Sequence, residues 1–267
     1  VSAPLGRTPA AFVREHGDTA EPFLVLTDEE LYVVTAGVPA AERVVPLEVL
    51  DALDSAEVDA RARGASRSLA ARGLLAGIDG AETDQTLGLV ELEVRGRLSL
   101  VLHALSFEGV IVLASGTHQG DQRRRAIIPF ADAGVIEHAF GGGVHEFRIW
   151  SAVRACIELA SLIDPAGLAG SEDVDLARAP ADADEARPPW LVEDPTSTAH
   201  VRRASSEGPP LELLFSAHPE HRLVVVSGEA AGTDGELSHL RARSVSKGTL
   251  LGLCAHVLDL GAAIRPR

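Results

Sequence analysis

The stretch LRARSVSKGTLLGLCAHVL, Leu240 to Leu258, changes its periodicity halfway, and that change decides the fold class. Leu240 to Val245 has the alternation of a strand, Ser246 is a helix cap, and beyond it Leu250, Leu253, Cys254, Val257 and Leu258 fall on one helical face. Upstream, Ala199 to Ala204, Leu211 to Ala217 and Leu223 to Ser227 have the composition of three more strands. The unit from about His200 to Leu260 is therefore several strands closed by one amphipathic helix.

The same plan occupies Gly88 to Ile163. Val90, Leu92 and Val94 alternate with Glu91, Glu93 and Arg95, the period of a half-buried antiparallel strand. Arg95-Gly96-Arg97 is a tight turn into a second strand, Leu98 to Leu105, and Val110 to Ala114 is a third. A loop, Ser115 to Asp121, leads to Arg123 to Phe130, whose partner is Val135 to Phe140. Gly141 to Gly143 breaks the sheet, after which Ile149, Val153, Ile157 and Ala160 mark the inward face of a helix that Asp164-Pro165 ends.

Before these units the chain is helical. Thr27 and Glu30 have capping-box spacing, with Leu26 and Leu31 as its staple, so a first helix starts at Asp28 and stops near Gly37. Pro46 opens a short second helix, Leu47 to Leu53, and Ser55 caps a third that runs to Arg72 before Gly73. Between the two sheet units, residues 164 to 198 hold nine acids, two arginines and many Pro and Ala, the composition of a linker or mobile loop. The expected organisation is a helical unit over 1–87, a first sheet and helix over 88–163, the linker over 164–198, and a second sheet and helix over 199–267. The expected fold class is α+β, a quasi-two-fold antiparallel sheet with helices packed on it and an N-terminal helical unit.

Composition narrows the function. With 46% hydrophobic residues, the 267-residue chain can bury a large core without covalent staples. The two cysteines, Cys156 and Cys254, lie in apolar helical patterns without metal-ligand spacing, which suits a reducing, cytoplasmic setting and buried, inert thiols. A net charge of −15 argues against a non-specific nucleic-acid surface, and no apolar run is long enough for a membrane span. The amino-terminal residues Val1 to Ala11 lack the apolar core of a signal peptide. A single lysine, Lys247, among many arginines and alanines points to a GC-rich genome such as an actinobacterium's.

No catalytic or metal constellation stands out. Val144-His145-Glu146-Phe147 lacks a second histidine one turn later, and His118 with Asp121, or His218 with Glu220 and His221, sit where turns are expected. Ser115-Gly116-Thr117-His118 lacks the glycine that precedes the serine of a nucleophile elbow, and Gly141-Gly142-Gly143 lacks the lysine and hydroxyl of a phosphate loop. No cofactor is expected. The rival reading is a winged-helix regulator, in which the helix carrying Arg61, Arg63, Arg67 and Arg72 reads DNA and the following hairpin is the wing. Glu91 and Glu93 would set negative charge on that wing, against phosphate.

The order of elements resembles the type VII secretion-associated EspG proteins, cytosolic chaperones of actinobacteria. The matching features are the Leu26-Thr27-Asp28-Glu29 helix entry, the Leu69-Ala70-Ala71-Arg72-Gly73-Leu74-Leu75 helix exit, the strand order from Leu89 to Phe130, and a second sheet-plus-helix half after a variable linker. The resemblance implies a central sheet with helical bundles on a quasi-two-fold plan, no enzymatic activity, and a helical-bundle partner of the PE-PPE kind held before export. It also implies that a loop between early strands and the carboxy-terminal helix grip that partner. Here these are Ser115, Thr117, His118 and Gln119 in the loop, and Leu250, Leu251, Cys254 and Leu258 in the helix. Trp190, isolated beside Pro188 and Pro189 in the acidic segment, is a further candidate anchor.

Overall fold

The computed structural model describes residues 17–35, 45–76, 93–94, 97–105, 111–130, 134–180, 195–204, 211–218, 222–230 and 237–259. The fold is α+β, built of antiparallel strands with helices packed on them and two N-terminal helices packed together. The chain divides into two compact units. One comprises the described parts of Val1–Glu108 with Phe130–Asp132 and Ile136–Ile149; the other comprises Gly109–Pro129, Ala133–Val135 and the described parts of Trp150–Arg267.

In the first unit, β1 (Leu24–Thr27) pairs antiparallel with β7 (Val144–Ser151), Leu24 opposite Phe147 and Leu26 opposite His145. The strand order is β1-β7-β6, with β6 at Gly134–Gly141. The helix α1 (Asp28–Val34) follows β1 directly, and α2 (Ser55–Ala71) packs on α1 through Leu69 and Ala65. Asp54, one residue before the expected cap, accepts from the Glu57 amide at 2.9 Å. Leu47 to Leu53 forms hydrogen-bonded turns, pinned by the Asp51 carboxylate on the Leu47 amide, in place of the short helix expected there.

Of the expected strand over Leu89 to Arg95, the described residues contain β3 (Glu93–Val94), which pairs with β2 (Leu75–Ala76). The expected strand over Leu98 to Leu105 is a helix, α3 (Arg97–Leu105). Leu98, Val101, Leu102 and Leu105 also satisfy i, i+3, i+4, i+7 spacing, and burial of Leu98 and Val101 selects that period. Arg97 donates to the Phe23 carbonyl at 2.9 Å, fixing this helix beside β1.

In the second unit the strand order is β5-β4-β9-β10-β11-β12-β8. The strands are β4 (Ile111–His118), β5 (Asp121–Phe130), β8 (Val174–Pro180), β9 (Ser197–Ala204), β10 (Leu211–His218), β11 (Arg222–Ala230) and β12 (Leu237–Ser244). The loop expected over Ser115 to Asp121 is mostly strand. β4 runs on to His118, opposite Asp121, and only Gln119 and Gly120 turn, both with positive φ (51° and 87°), as a two-residue hairpin with the sheet's twist requires. Likewise Gly141 to Gly143 closes a hairpin instead of breaking the sheet, and β7 precedes the helix.

That helix, α4 (Ala152–Ile163), is capped by Ser151 and buries Ala155, Cys156, Leu159, Leu162 and Ile163. Of the inward stripe expected from sequence, Ile149 is a buried residue of β7 and Ala160 packs partly buried against the core, but Val153 and Ile157 are turned outward. Val153 and Ile157 are 58% and 42% exposed, while the face carrying Ala155, Cys156, Leu159, Leu162 and Ile163 lies in the core. The helix α5 (Lys247–Val257) agrees with its expected Ser246 cap and buries Leu250, Cys254, Val257 and Leu258. Both helices share one core with Val112, Ala114, Ile127, Val201, Phe215 and Val225 of the strands.

The segment expected as a linker over 164–198 is partly ordered structure. Asp164 accepts from the amides of Leu168 and Ala169, β8 pairs with β12, and the Asp173 carboxylate takes the Ser246 amide and the Thr249 hydroxyl, each at 2.7 Å. Those bonds hold the Asp173 carboxyl below its ordinary range and tie the segment to the start of α5. The connectivity is quasi-two-fold. β1 precedes the run β4 to β7 and pairs with β7, its last strand, before α4; β8 precedes the run β9 to β12 and pairs with β12 before α5. β4 and β9, the first strand of each run, pair antiparallel along their whole length, Ile111 opposite Ala204 and His118 opposite Ser197.

Among the described residues, no helix is long and apolar enough to cross a membrane. The outward turn of α4 sets a simple expectation. Leu159→Ala should cost about 2–5 kcal/mol of stability in urea denaturation, and Val153→Ala less than about 0.5 kcal/mol. Equal losses at the two positions would contradict the assigned face.

Candidate functional site

The first turn of α1 carries Asp28, Glu29 and Glu30, which suits the positive end of the helix dipole, yet Asp28 and Glu30 are both buried. A buried carboxylate is tolerated only when its oxygens are satisfied. Glu30 closes the expected capping box, taking the Thr27 amide at 3.2 Å while the Thr27 hydroxyl takes its own amide. It also accepts from Ser68 Oγ and from Arg72 Nη1, both at 2.7 Å, and Arg72 continues to the Val25 carbonyl at 2.8 Å.

Asp28 organises the other side. Its Oδ2 accepts the Val49 amide at 2.6 Å, its own amide donates to the Gly143 carbonyl at 3.0 Å, and its Oδ1 lies 2.7 Å from His145 Nε2. His145 Nδ1 lies in turn 2.8 Å from His138 Nε2, across the β6–β7 hairpin. A carboxylate only accepts, so His145 Nε2 carries the proton, its Nδ1 accepts from His138 Nε2–H, and His138 Nδ1 is a bare lone pair. That atom is buried and has no hydrogen-bond partner among the described residues. His138 stacks on Phe147 at 4.2 Å between centroids and faces Phe140 at 5.5 Å.

Burial pushes both imidazoles below their ordinary range. For His138 the shift is large, burial being joined by repulsion from His145; for His145 the Asp28 hydrogen bond and charge, and the Glu48 charge, oppose it. The arrangement is a buried, three-membered hydrogen-bonded chain. Gly143 permits it, since its φ is +77° and a Cβ there would stand 2.6 Å from Val49 Cγ2.

Sequence reasoning missed this site because it sought a second histidine one helical turn from His145. The partner lies seven residues earlier on the neighbouring strand. The available signal was two histidines flanking a triple-glycine hairpin at positions that share a sheet face.

The residues expected to bind a partner are not brought together as one surface. Ser115 and His118 are half-buried in β4, while Thr117 and Gln119 are exposed at the hairpin end. Leu250, Cys254 and Leu258 are core residues at 4%, 1% and 2% exposure, while Leu251, at the flank of that buried face, is 43% exposed. Trp190 lies outside the described residues. Burial raises the thiol of Cys156 above its ordinary range, and burial together with the neighbouring Cys156 raises that of Cys254.

The other exposed large apolar residues among those described are Val25, Val144, Val174 and Leu214, outside the helices, and Val153 and Ile157 on α4. Val153 and Ile157 present an apolar edge on α4, beside Arg154, which pairs with Glu158 and lies over the Trp150 ring at 5.5 Å. The arginines of the rival reading are divided. Arg61 and Arg72 pair with Glu29 and Glu30, Arg63 and Arg67 are exposed, and α3 stands where the second strand of a wing was expected. Among the described residues, no three His, Cys, Asp or Glu side chains converge as a cation would require.

No protein-family model matches the chain, and no curated protein matches it.

The buried histidine pair predicts a pH dependence. Folded histidines held below 6.5 leave the unfolded chain to bind protons first, so this contribution is complete above about pH 7 and is lost as pH falls below 6.5. Asp28→Ala, which strands His145 and the Val49 amide, should cost about 3–5 kcal/mol at neutral pH. Urea denaturation reads both, and a pH-independent wild type would contradict the first.

Proposed function

We propose that the chain is a non-enzymatic, cytosolic binding protein that holds a helical-bundle polypeptide, in the manner of the EspG-type secretion chaperones it resembles. The observation that carries this reading is the quasi-two-fold strand connectivity, each run ending in a helix on the sheet, with apolar side chains left on the outer sides of both helices. Val153 and Ile157 on α4 and Leu251 on α5 are the exposed large apolar groups of these helices, and Arg154, Lys247 and His256 are polar neighbours on the same helices. Apolar groups among polar ones suit the burial of a partner's apolar tip without chemistry. The hairpin end at Thr117 and Gln119 supplies polar contacts.

Co-expression with two-helix exported substrates of the PE-PPE kind tests this reading. The expected outcome is a soluble 1:1 complex. Replacing Val153, Ile157 and Leu251 together by Asp should weaken it at least ~100-fold, as loss of clustered anchor residues does, with unchanged thermal unfolding. A complex indifferent to these substitutions, or no complex with any helical-bundle substrate, would refute it.

A further inference from the structure

The helices α4 and α5 lie in contact within the second unit and are built on one plan. Each starts at a serine cap, Ser151 or Ser246, and the fourth and eighth residues after the cap are buried in the shared core, Ala155 and Leu159 on α4, Leu250 and Cys254 on α5. The same helical positions therefore face outward on both, the second and sixth among them. On α4 these are Val153 and Ile157, and on α5 they are Gly248 and Gly252, all four exposed. One helix presents two apolar knobs a turn apart, the other two notches at the same spacing.

Among the described residues nothing requires glycine at either notch. A Cβ at Gly252 would meet no atom within 4 Å, and one at Gly248 only Ser246 Oγ at 3.9 Å, an ordinary contact. Neither has the positive φ that favours glycine. Inside a helix glycine is the least favourable residue after proline, so alanine would strengthen α5 at both places. What glycine supplies is room for another helix to come close. Leu251, exposed next to Gly252, walls the notch with an apolar side chain.

The charges fall into the same register. Laid antiparallel along α5 of a second copy, α4 sets Val153 level with Gly252 and Ile157 level with Gly248, and it sets Glu158 level with Lys247. An acid then stands opposite the chain's one lysine. Glu158 is held by Arg154 of its own helix and Arg125 of β5, and Lys247 is exposed at the start of α5. Each copy carries knobs, notches and both charges, so a two-fold axis makes every contact twice, the self-complementarity that an isologous pair needs.

We propose that two copies of this chain pair face to face through α4 and α5, the Val153 and Ile157 side chains of each seated over Gly252 and Gly248 of the other. The pairing covers the surface assigned above to a helical-bundle partner, so partner and second copy exclude each other. It is measured on the isolated chain, and its outcome is independent of whether such a partner binds.

Sedimentation equilibrium of the full chain tests the pairing. A reversible monomer–dimer equilibrium with a dissociation constant below ~100 μM is expected. Gly252→Leu fills a notch with a good helix former, so the dimer should weaken at least ~10-fold while the unfolding temperature of the monomer holds or rises. Ile157→Ser, on the other side of the contact, should also weaken it at least ~10-fold. Lys247→Glu, which sets acid against acid, should weaken it at least ~3-fold, with a smaller loss in high salt. A chain that stays monomeric up to ~100 μM, or a dimer indifferent to Gly252→Leu or to Ile157→Ser, overturns the proposal. If Gly252→Leu lowers the unfolding temperature of the monomer, Ile157→Ser alone decides.

Discussion

Two buried carboxylates in one helical turn hold the amino-terminal unit together. Asp28 and Glu30 sit within three residues of each other, yet Asp28 reaches 21 residues on to Val49 and 117 on to His145, and Glu30 reaches 38 and 42 residues on to Ser68 and Arg72. Desolvating a carboxylate costs several kcal/mol, and only a full set of donors repays it. Here each oxygen has at least one donor, most at 2.6–2.7 Å. The helix dipole and capping box start α1; the two acids then fix what it can pack against. Alternative packings would strand a charge, so the interaction specifies a unique arrangement more than it adds net stability.

The strands along the chain follow a different rule, connectivity. A strand run of fixed length, a capped helix and a returning edge strand occur twice, and the first strands of the two runs pair along eight residues. Both helices meet in one core, through Ala155, Cys156, Leu159, Leu162 and Ile163 on α4 and Leu250, Cys254 and Val257 on α5. Val153, Ile157 and Leu251 stay outside that core.

Where local chemistry decides an element, the sequence was legible. The Thr27–Glu30 box, the Ser246 cap, the inward face of α5 and the strands of the second half follow from spacing alone. Where tertiary contacts arbitrate between two allowed periods, it was not. Leu98 to Leu105 satisfies both helix and strand spacing until burial of Leu98 and Val101 chooses, and the Val153 and Ile157 side of α4 lost to the face carrying Leu159, Leu162 and Ile163. β8 was hidden by its acids: composition assigned them to solvent, but Asp173 caps α5 and Asp175 pairs with Arg241. The buried histidine pair was hidden for a similar reason. His138, His145 and Asp28 converge only when the glycine hairpin folds back on α1, a contact that no local window contains.

If the buried Asp28 carboxylate is what binds α1 to the hairpin, Asp28 and His145 must be energetically coupled. A double-mutant cycle with Asp28→Asn and His145→Gln, read by urea denaturation at neutral pH, measures this directly. The account requires a coupling energy of about 2 kcal/mol, in the range found for residues sharing one buried network. Additivity within about 0.5 kcal/mol, the behaviour of independent sites, would contradict it.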